Sequence, residues 1–143
     1  MTEAFWAFGS ALQLGDGATS EAFTTIAEII DVVPPVETRD SVQVTNHGSA
    51  NKRHEYLPGL ADGGTVTFKV NWLPTNATQN KSTGLRKTWE DYDNHNWRIV
   101  LPNSILTISF TGHLTNWTPG TPLPSQGTLD CSIKVSGMPT YSV

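Results

Sequence analysis

The chain has 143 residues, of which 37% are hydrophobic and 15% are charged, and its formal net charge is −4. This length is sufficient for one domain with its own hydrophobic core but too short for two domains of ordinary size. We therefore expect residues 1–143 to form a single domain. A charged fraction below the roughly 25% of an average soluble domain indicates that much of the surface is shielded from water. The mildly acidic balance, without a basic stripe, argues against a surface that grips nucleic acid.

The sequence also favours cytoplasmic synthesis without a membrane anchor. Cys131 is the single cysteine, so no intramolecular disulfide can form, and its phase with Leu129 and Ile133 predicts a buried thiol. The first residues lack the basic and apolar regions of a secretory signal, and no apolar run reaches about 20 residues. We therefore expect synthesis and folding in a cytoplasm and no membrane partner.

The first part of the chain predicts an arm, then strands, then a long loop. Residues 1–22 are rich in Gly and Ala and predict an irregular N-terminal arm or a short strand with turns. Phe23–Val33 fits a helical face in part, but its β-branched residues and the following Pro34-Pro35 favour a strand. The segment "SVQVT" alternates as a strand does. The polar and aperiodic segment 46–55 predicts a long loop between strands.

The clearest strand follows the turn-rich run "PGLADGG". One face of this strand carries Val66, Phe68, Val70 and Trp72, and the other carries Thr65, Thr67, Lys69 and Asn71. The sequence then predicts a helix over Asn76–Asn94. Its first residue and Gln79 resemble a capping pair, and Leu85, Trp89 and Tyr92 form an apolar stripe.

Three later segments alternate as strands, namely "WRIVLP", "ILTISFTGHL" and "TLDCSIKVSG". The order of strands, one helix and further strands predicts a mainly β fold. We expect an antiparallel β-sandwich or barrel with one flanking α-helix, without an internal repeat or linker.

No motif for catalysis, cofactor binding or metal binding stands out. The four histidines lack the spacing of a helical zinc pair. The spacing of Asp91, Asp93 and His95 matches the first three ligand positions of a calcium-binding loop. However, Asn96 and Pro102 occupy the positions at which that loop requires glycine and glutamate. There is no Gly-x-Ser-x-Gly elbow and no complete dinucleotide-binding glycine motif. We therefore predict no cofactor, no metal site and no enzyme activity.

Three classes of function remain open at this point. A chain with many strands and little charge can use unpaired sheet edges to assemble with other copies. A monomeric β-sandwich binding module for a carbohydrate or protein ligand is the alternative, because the chain has five tryptophans that could stack on sugars. A small hydrolase with carboxylates that are distant in sequence is the third.

Four segments, in order along nearly the whole chain, resemble the major tail tube protein family of lambda-like long-tailed bacteriophages. They are "FGSALQLGDGATSEAFTTIAEI", "ETRDSVQVTNH", "HEYLPGLADGGTVTFKVNW" and "FTGHLTNWTPGTPLPSQGTLDCSIKVSGMPTY". Each segment alone is a weak signal, whereas four in the same order and spacing form a specific one. The segment "NWLPTNATQNKSTG" before the predicted helix is longer and more polar than this family leads us to expect.

The resemblance implies a virion structural protein of the tail tube type. Hexameric rings of the protein would stack into a hollow tube, with DNA crossing the lumen without specific binding. The implied partners are other copies of the chain, a tape-measure protein, and tail terminator and distal tail proteins. By the same analogy the N-terminal arm and the long loop contact neighbouring rings. The expected inter-ring residues of the loop are Asn46, His47, Gly48, Ser49, Ala50, Asn51, Lys52 and Arg53.

The acidic residues suggest a feature of such a lumen. Lysines that neutralise phosphates would hold DNA, whereas a net-negative wall repels it and lets it slide. Glu28, Asp31 and Asp130 fall at polar positions of predicted strands. We expect them to contribute to a negative wall, the alternative being that they are ordinary solvated residues on strand faces.

Overall fold

The computed structural model describes residues 2–143 and confirms a mainly β protein with one α-helix. The elements in chain order are β1 (Ala11–Gly15), β2 (Phe23–Thr25), β3 (Ile29–Val33), β4 (Thr38–Gln43), β5 (Tyr56–Asp62), β6 (Thr65–Asn71), α1 (Leu85–Glu90), β7 (His95–Val100), β8 (Thr107–Gly120) and β9 (Thr128–Ser142). Short 3-10 turns occupy Ala50–Lys52 and Pro102–Ser104.

Seven strands form one antiparallel sheet in the order β2-β1-β7-β8-β9-β6-β3. The two edge strands, β2 and β3, follow one another in the sequence and are separated only by residues 26–28. At one edge the Ile26 N–H donates to Leu12 O, and at the other the Asn71 N–H donates to Glu28 O. The sheet therefore curls and brings its edges together, which gives the predicted antiparallel sandwich or barrel.

Alternating side chains fill a single core inside this curled sheet. In β6, Val66, Phe68 and Val70 are buried, which confirms the alternation that the sequence predicts. Trp97 is fully buried, and its indole Nε1 donates to Gly112 O at 3.1 Å. The other buried apolar residues are Leu12, Ile26, Leu85, Ile99, Ile108, Phe110, Leu114, Leu129, Cys131, Ile133 and Val135.

The predicted continuous strand Phe23–Val33 is interrupted. It forms β2 and β3, and the turn between them places Glu28 in the left-handed region at φ 55°. The interruption has a topological cause, because β2 pairs with β1 at one edge of the sheet while β3 pairs with β6 at the other. The chain must bend between these two ladders.

The predicted helix over residues 76–94 is wrong in length, since α1 has only six residues. Asn76 does not cap a helix; its Oδ1 accepts from the N–H and the hydroxyl of Thr78 instead. Gln79 turns into the protein rather than back toward Asn76. Gly84 then packs so closely on the backbone of residues 78–80 that a side chain there would collide with it. Tyr92, part of the predicted stripe, lies beyond the helix and is exposed.

Candidate assembly surfaces

Strands β4 and β5 form a separate hairpin that pairs with no other strand. Val42 lies opposite Leu57, and Gln43 lies opposite Tyr56. A two-stranded hairpin has little stability alone in water, and this one exposes unusual apolar area. The large apolar side chains exposed on the hairpin and its flanks are Val36, Val42, Val44, Tyr56, Leu57 and Leu60. Such a surface is typical of an element that another chain covers.

The tip of the hairpin holds the segment for which the sequence predicts inter-ring contacts. Its turn is organised by local hydrogen bonds: Asn46 Oδ1 accepts from the Gly48 N–H at 2.8 Å, and the Ser49 hydroxyl donates to Glu55 Oε2 at 2.6 Å. The Arg53 N–H donates to Ala50 O at 3.1 Å. The tip therefore has a defined shape in the single chain, although residues 46–48 and 50–53 are exposed.

The tip carries unneutralised positive charge. Lys52 and Arg53 are adjacent and exposed, and within residues 2–143 neither forms an ion pair. Asn51 and Lys52 both have left-handed backbone conformations, at φ 53° and 55°. This conformation is uncommon for residues with side chains. It makes the turn tight and leaves the two cationic residues exposed.

The base of the hairpin is fixed to the core by an ion pair and a tight backbone contact. Lys134 Nζ lies 2.6 Å from Asp62 Oδ1, and the Gly64 N–H donates to the same oxygen at 2.9 Å. These two hydrogen bonds, first that from Lys134, lower the pKa of Asp62. Gly64 has φ +78° and lies against Val36 O, so only glycine fits there. The base therefore fixes where the hairpin leaves the core.

Several strand edges in the main sheet have no partner within the described chain. Strand β3 pairs only with β6. The β7 ladder along β8 ends at Gly112, so the second half of β8 pairs only with β9. The β6 ladder along β9 ends at Lys134, so the last part of β9 pairs only with β8. Unpaired rows of N–H and C=O groups invite pairing with another chain.

The outer face of four neighbouring strands is almost entirely polar. In the order β3-β6-β9-β8, Asp31 lies opposite Lys69, Lys69 opposite Asp130, and Asp130 opposite Thr118. These residues form one row across the sheet, on the side away from the core. The other outward positions are Val33, Thr65, Thr67, Asn71, His113, Asn116, Gly120, Thr128, Ser132 and Lys134.

The three predicted lumen acids do not form one cluster. Asp31 and Asp130 share the row that contains Lys69. The expectation that Glu28 lies on a strand is wrong. Glu28 lies in the turn before β3, where its Oε1 accepts a hydrogen bond from Asn71 Nδ2 at 3.2 Å. Glu28 lies outside the strands because the chain bends between β2 and β3. All three carboxylates are therefore near the same face, with Glu28 at its margin.

The N-terminal arm exposes aromatic side chains. Trp6 and Phe8 stack with ring centroids 5.0 Å apart and are 80% and 75% exposed, and Phe5 is also exposed. Within the segment 1–22, strand β1 takes up Ala11–Gly15, and residues 2–10 and 16–22 are irregular, so the expected arm contains one short strand. An aromatic pair that remains in water on a single chain is a second candidate contact surface.

The tryptophans do not form a sugar-stacking face. Trp97 is in the core, and Trp72, Trp89 and Trp117 are half-buried against it. The rings of Trp89 and Trp117 lie 6.4 Å apart, and the Arg86 guanidinium lies over Trp117. These residues pack α1 on β8, which leaves Trp6 as the one largely exposed tryptophan.

The residues weighed as a calcium loop make local contacts. Asp91 Oδ2 lies 2.9 Å from Lys87 Nζ and 3.7 Å from His95 Nε2. Across residues 2–143 no group of three or more His, Cys, Asp or Glu side chains has the arrangement of a metal site. Likewise, no helix in the described part of the chain is long and apolar enough to cross a membrane.

An apolar hairpin, an aromatic arm and unpaired strand edges define a β-protein that presents surfaces to other chains. The family model described as "Lambda phage tail tube protein, TTP" matches residues 6–142. The chain belongs to this family. It is therefore a structural protein of the virion tail and not an enzyme. No curated protein matches the chain by sequence.

Solved structures with the same fold come from related assemblies. A chain of a virion of a native gene transfer agent particle has a TM-score of 0.77 at 13% identity, over 98% of this chain and 100% of that one. A chain of an empty gene transfer agent tail, refined with C6 symmetry, gives 0.72 at 15%, over 92% and 96%. A chain of an extracellular contractile injection system, in its sheath/tube terminator, gives 0.75 at 11%, over 100% and 99%. At these identities the likeness shows the fold.

The sequence points to the loop, the acids and the use of sheet edges in general, but it does not show which edges stay unpaired or that the hairpin exposes apolar side chains. Partial edges depend on where each ladder stops, and no residue pattern marks that point. The apolar side chains did leave a signal. Val42 and Val44 alternate in the sequence as they would on a core-facing strand, although here Val42 in β4 and Val44 just after it are both exposed.

Proposed function

We propose that this chain assembles head to tail into six-membered rings, which stack into a hollow tail tube that DNA crosses. Membership of the tail tube family supports self-assembly. The sixfold number is supported by the gene transfer agent tail, whose structure was refined with C6 symmetry. A ring needs one heterologous interface whose rotation closes, and a stack needs a second interface along the axis.

The observation that carries the proposal is the four-stranded section β3-β6-β9-β8 with unpaired edges on both sides. Its strands alternate in direction. In a head-to-tail ring, β8 of one copy therefore meets β3 of the next in antiparallel orientation. Pairing there would satisfy backbone groups that are otherwise left to water and would continue one sheet around the ring.

The dimensions are compatible with a tube. Four strands from each of six copies, about 4.8 Å apart, give a circle about 37 Å across between backbones. Strand tilt widens this circle further. An open bore remains after side chains are added. The curled remainder of the sheet and α1 then lie on the outside of the wall.

In this arrangement the polar face of β3, β6, β9 and β8 lines the bore. Its hydroxyl and amide side chains suit a water-filled channel. Asp31 and Asp130 lie on this face, and Glu28 lies at its margin. We assign these three acids to a net-negative wall, which lets DNA slide without specific binding because the three carboxylates outnumber the one lysine of this face that forms no ion pair within residues 2–143, Lys69.

The hairpin and the arm supply the contacts along the tube axis. The proposed inter-ring segment is the tip, residues 46–53, together with the apolar side chains behind it. Burying Val42, Leu57 and Leu60 between rings removes apolar area from water at about 25 cal/mol per Å². The stacked aromatic pair of the arm serves the same purpose. The low charged fraction of the chain is consistent with two large interfaces for each copy.

The other proposed partners follow from the ends and the inside of such a tube. A tape-measure protein occupies the lumen before DNA does, and tail terminator and distal tail proteins cap the two ends. The solved relatives include chains in structures of a sheath/tube terminator and of a baseplate. The tail terminator and distal tail proteins would use the same axial surface that a further ring uses.

Negative-stain electron microscopy of the concentrated protein tests the proposal. We expect rings viewed end-on and tubes with a stain-filled bore. Analytical ultracentrifugation of the same sample should show species of six copies and larger. A protein that stays monomeric at every concentration, or that forms rings without a bore, would contradict the proposal.

A further inference from the structure

Lys69 occupies an unusual place on the polar face. Its neighbours in the same row are Asp31 on β3 and Asp130 on β9, so an acidic residue flanks it on both sides. Directly opposed residues in an antiparallel pair have Cβ atoms about 5 Å apart. The three side chains line one shallow groove on this face together with Thr67, Asn116 and Ser132. Within residues 2–143, Lys69 forms no ion pair, so its ammonium group is not held by either carboxylate.

We propose that Lys69 contacts the phosphates of DNA in the bore and that Asp31 and Asp130 keep this contact weak. The inference rests on the proposed function, in which the polar face lines the bore. Without the two aspartates, six lysines at one height in the ring would bind the phosphates of the DNA that passes through it. Each lysine that neutralises a phosphate releases a counterion, so six contacts give tight, salt-sensitive binding.

The flanking carboxylates change this balance through charge alone. They lie within the screening distance of about 8–10 Å at physiological salt, so the potential that a phosphate meets above Lys69 is close to neutral or negative. The lysine can still exchange its bound water for a phosphate, but the free energy of this contact is small, so the phosphate leaves again. The row thus gives DNA a place to touch the wall at regular intervals without stopping there.

A purely structural role is the competing explanation. Opposite charges across strands stabilise a sheet modestly, and Lys69 between two aspartates has that arrangement. The two roles separate by readout, because a structural role changes the unfolding midpoint, whereas the proposed role changes DNA retention by assembled tubes. Both quantities can be measured on the same variants.

The experiment measures co-sedimentation of a short, linear, fluorescent single-stranded oligonucleotide with assembled tubes across a salt series. The double variant Asp31→Asn/Asp130→Asn should retain the oligonucleotide about tenfold more tightly at low salt, with a steeper salt dependence. Adding Lys69→Gln to this variant should return retention to the original level. A control double variant, Glu90→Gln/Asp93→Asn, makes the same net charge change at two exposed positions away from the face and should leave retention unchanged.

Three results would overturn the inference. They are unchanged retention in the double variant, a triple variant that stays as tight as the double, and an equal gain in the control. If the double variant forms no tubes, Lys69→Gln alone provides the test: it should lower retention at low salt, and unchanged retention would count against the role of Lys69.

A closed circular single strand distinguishes this inference from the proposed function. A circle has no end to thread into a bore, so tubes that bind linear DNA inside should not retain it. If the double variant gains affinity for linear and circular strands alike, the two aspartates weaken the contact of Lys69 with phosphate as inferred, but the polar face lies on the outside of the tube. That result would refute the bore assignment and leave the relation between Lys69 and its two aspartates standing.

Discussion

Gln79 is the residue whose role differs most between sequence and structure. Gln79 follows Asn76 by three residues, and this spacing suggests that the two side chains cap the start of a helix. Instead its side chain is buried and joins three backbone groups from separate segments: it accepts from the Leu73 N–H at 2.9 Å and donates to Ala27 O at 3.0 Å and Asn71 O at 3.1 Å. One amide therefore fastens the turn before β3 to the end of β6.

Replacing Gln79 by Ala should lower the free energy of unfolding by about 2–4 kcal/mol, because three backbone groups lose their partner where water has little access. Chemical denaturation of the unassembled chain measures this change. Gln126→Ala, in the exposed connection between β8 and β9, should change stability by less than about 0.5 kcal/mol. Equal effects of the two substitutions would contradict the role of Gln79.

Cys131 should give the protein a pH dependence in the alkaline range. Burial, with a smaller contribution from Asp130, raises the pKa of this thiol from 9.0 to about 12. The unfolded chain loses the proton first, so stability falls as pH rises, by about 1.4 kcal/mol for each pH unit between those two values. Cys131→Ala should remove this additional slope in denaturation curves from pH 8 to 11, and an identical slope in both proteins would contradict the assignment.

At the scale of elements, the hairpin β4–β5 is attached to the core but is not part of it. Its contacts with the rest of the chain are concentrated at its base, around Asp62, Gly64 and Val36. Near the tip, the Val44 N–H donates to Glu55 O and the Glu55 N–H donates to Thr45 Oγ1, both at 2.9 Å. The turn beyond these two hydrogen bonds can change without affecting the main sheet.

Deleting Gly48–Lys52 should therefore abolish tube growth while changing the free energy of unfolding by no more than about 1 kcal/mol. Electron microscopy and thermal melts measure the two outcomes. A matched deletion of five residues, Pro122–Gln126, shortens another exposed loop and should leave tubes intact. Tubes formed by the first variant would rule out the inter-ring role of the hairpin tip.

At the scale of the whole molecule, the decisive feature is that the sheet does not pair all of its strands along their full length. Strands β8 and β9 have 14 and 15 residues, whereas their neighbours β7 and β6 have six and seven. The long strands extend past opposite neighbours, which leaves half an edge open on each side. With the free edge of β3, this gives the single copy incomplete sides that further copies can complete.

A charge placed at the β3 edge should prevent ring formation without unfolding the chain. Ile30 lies at the bulge of β3, opposite no residue of β6, and is 49% exposed. Ile30→Lys should leave a folded monomer by analytical ultracentrifugation, because a desolvated charge at the seam opposes pairing. Ile105, 45% exposed and away from that edge, supplies the control. If Ile30→Lys still formed rings, or if Ile105→Lys lost them equally, the proposed pairing of β3 with β8 of the next copy would be contradicted.

The sequence by itself determined which face of each long strand is buried, since alternation along a strand is a local property. It also determined the family, because four segments keep their order over nearly the whole chain. Local patterns could not determine the length of α1, because Gln79 bonds to the distant Ala27 and Gly84 packs against the backbone of residues 78–80. Nor could they place Lys69 between two aspartates or show which edges stay unpaired. Both depend on register between strands far apart in the chain, and only the tertiary structure fixes that register.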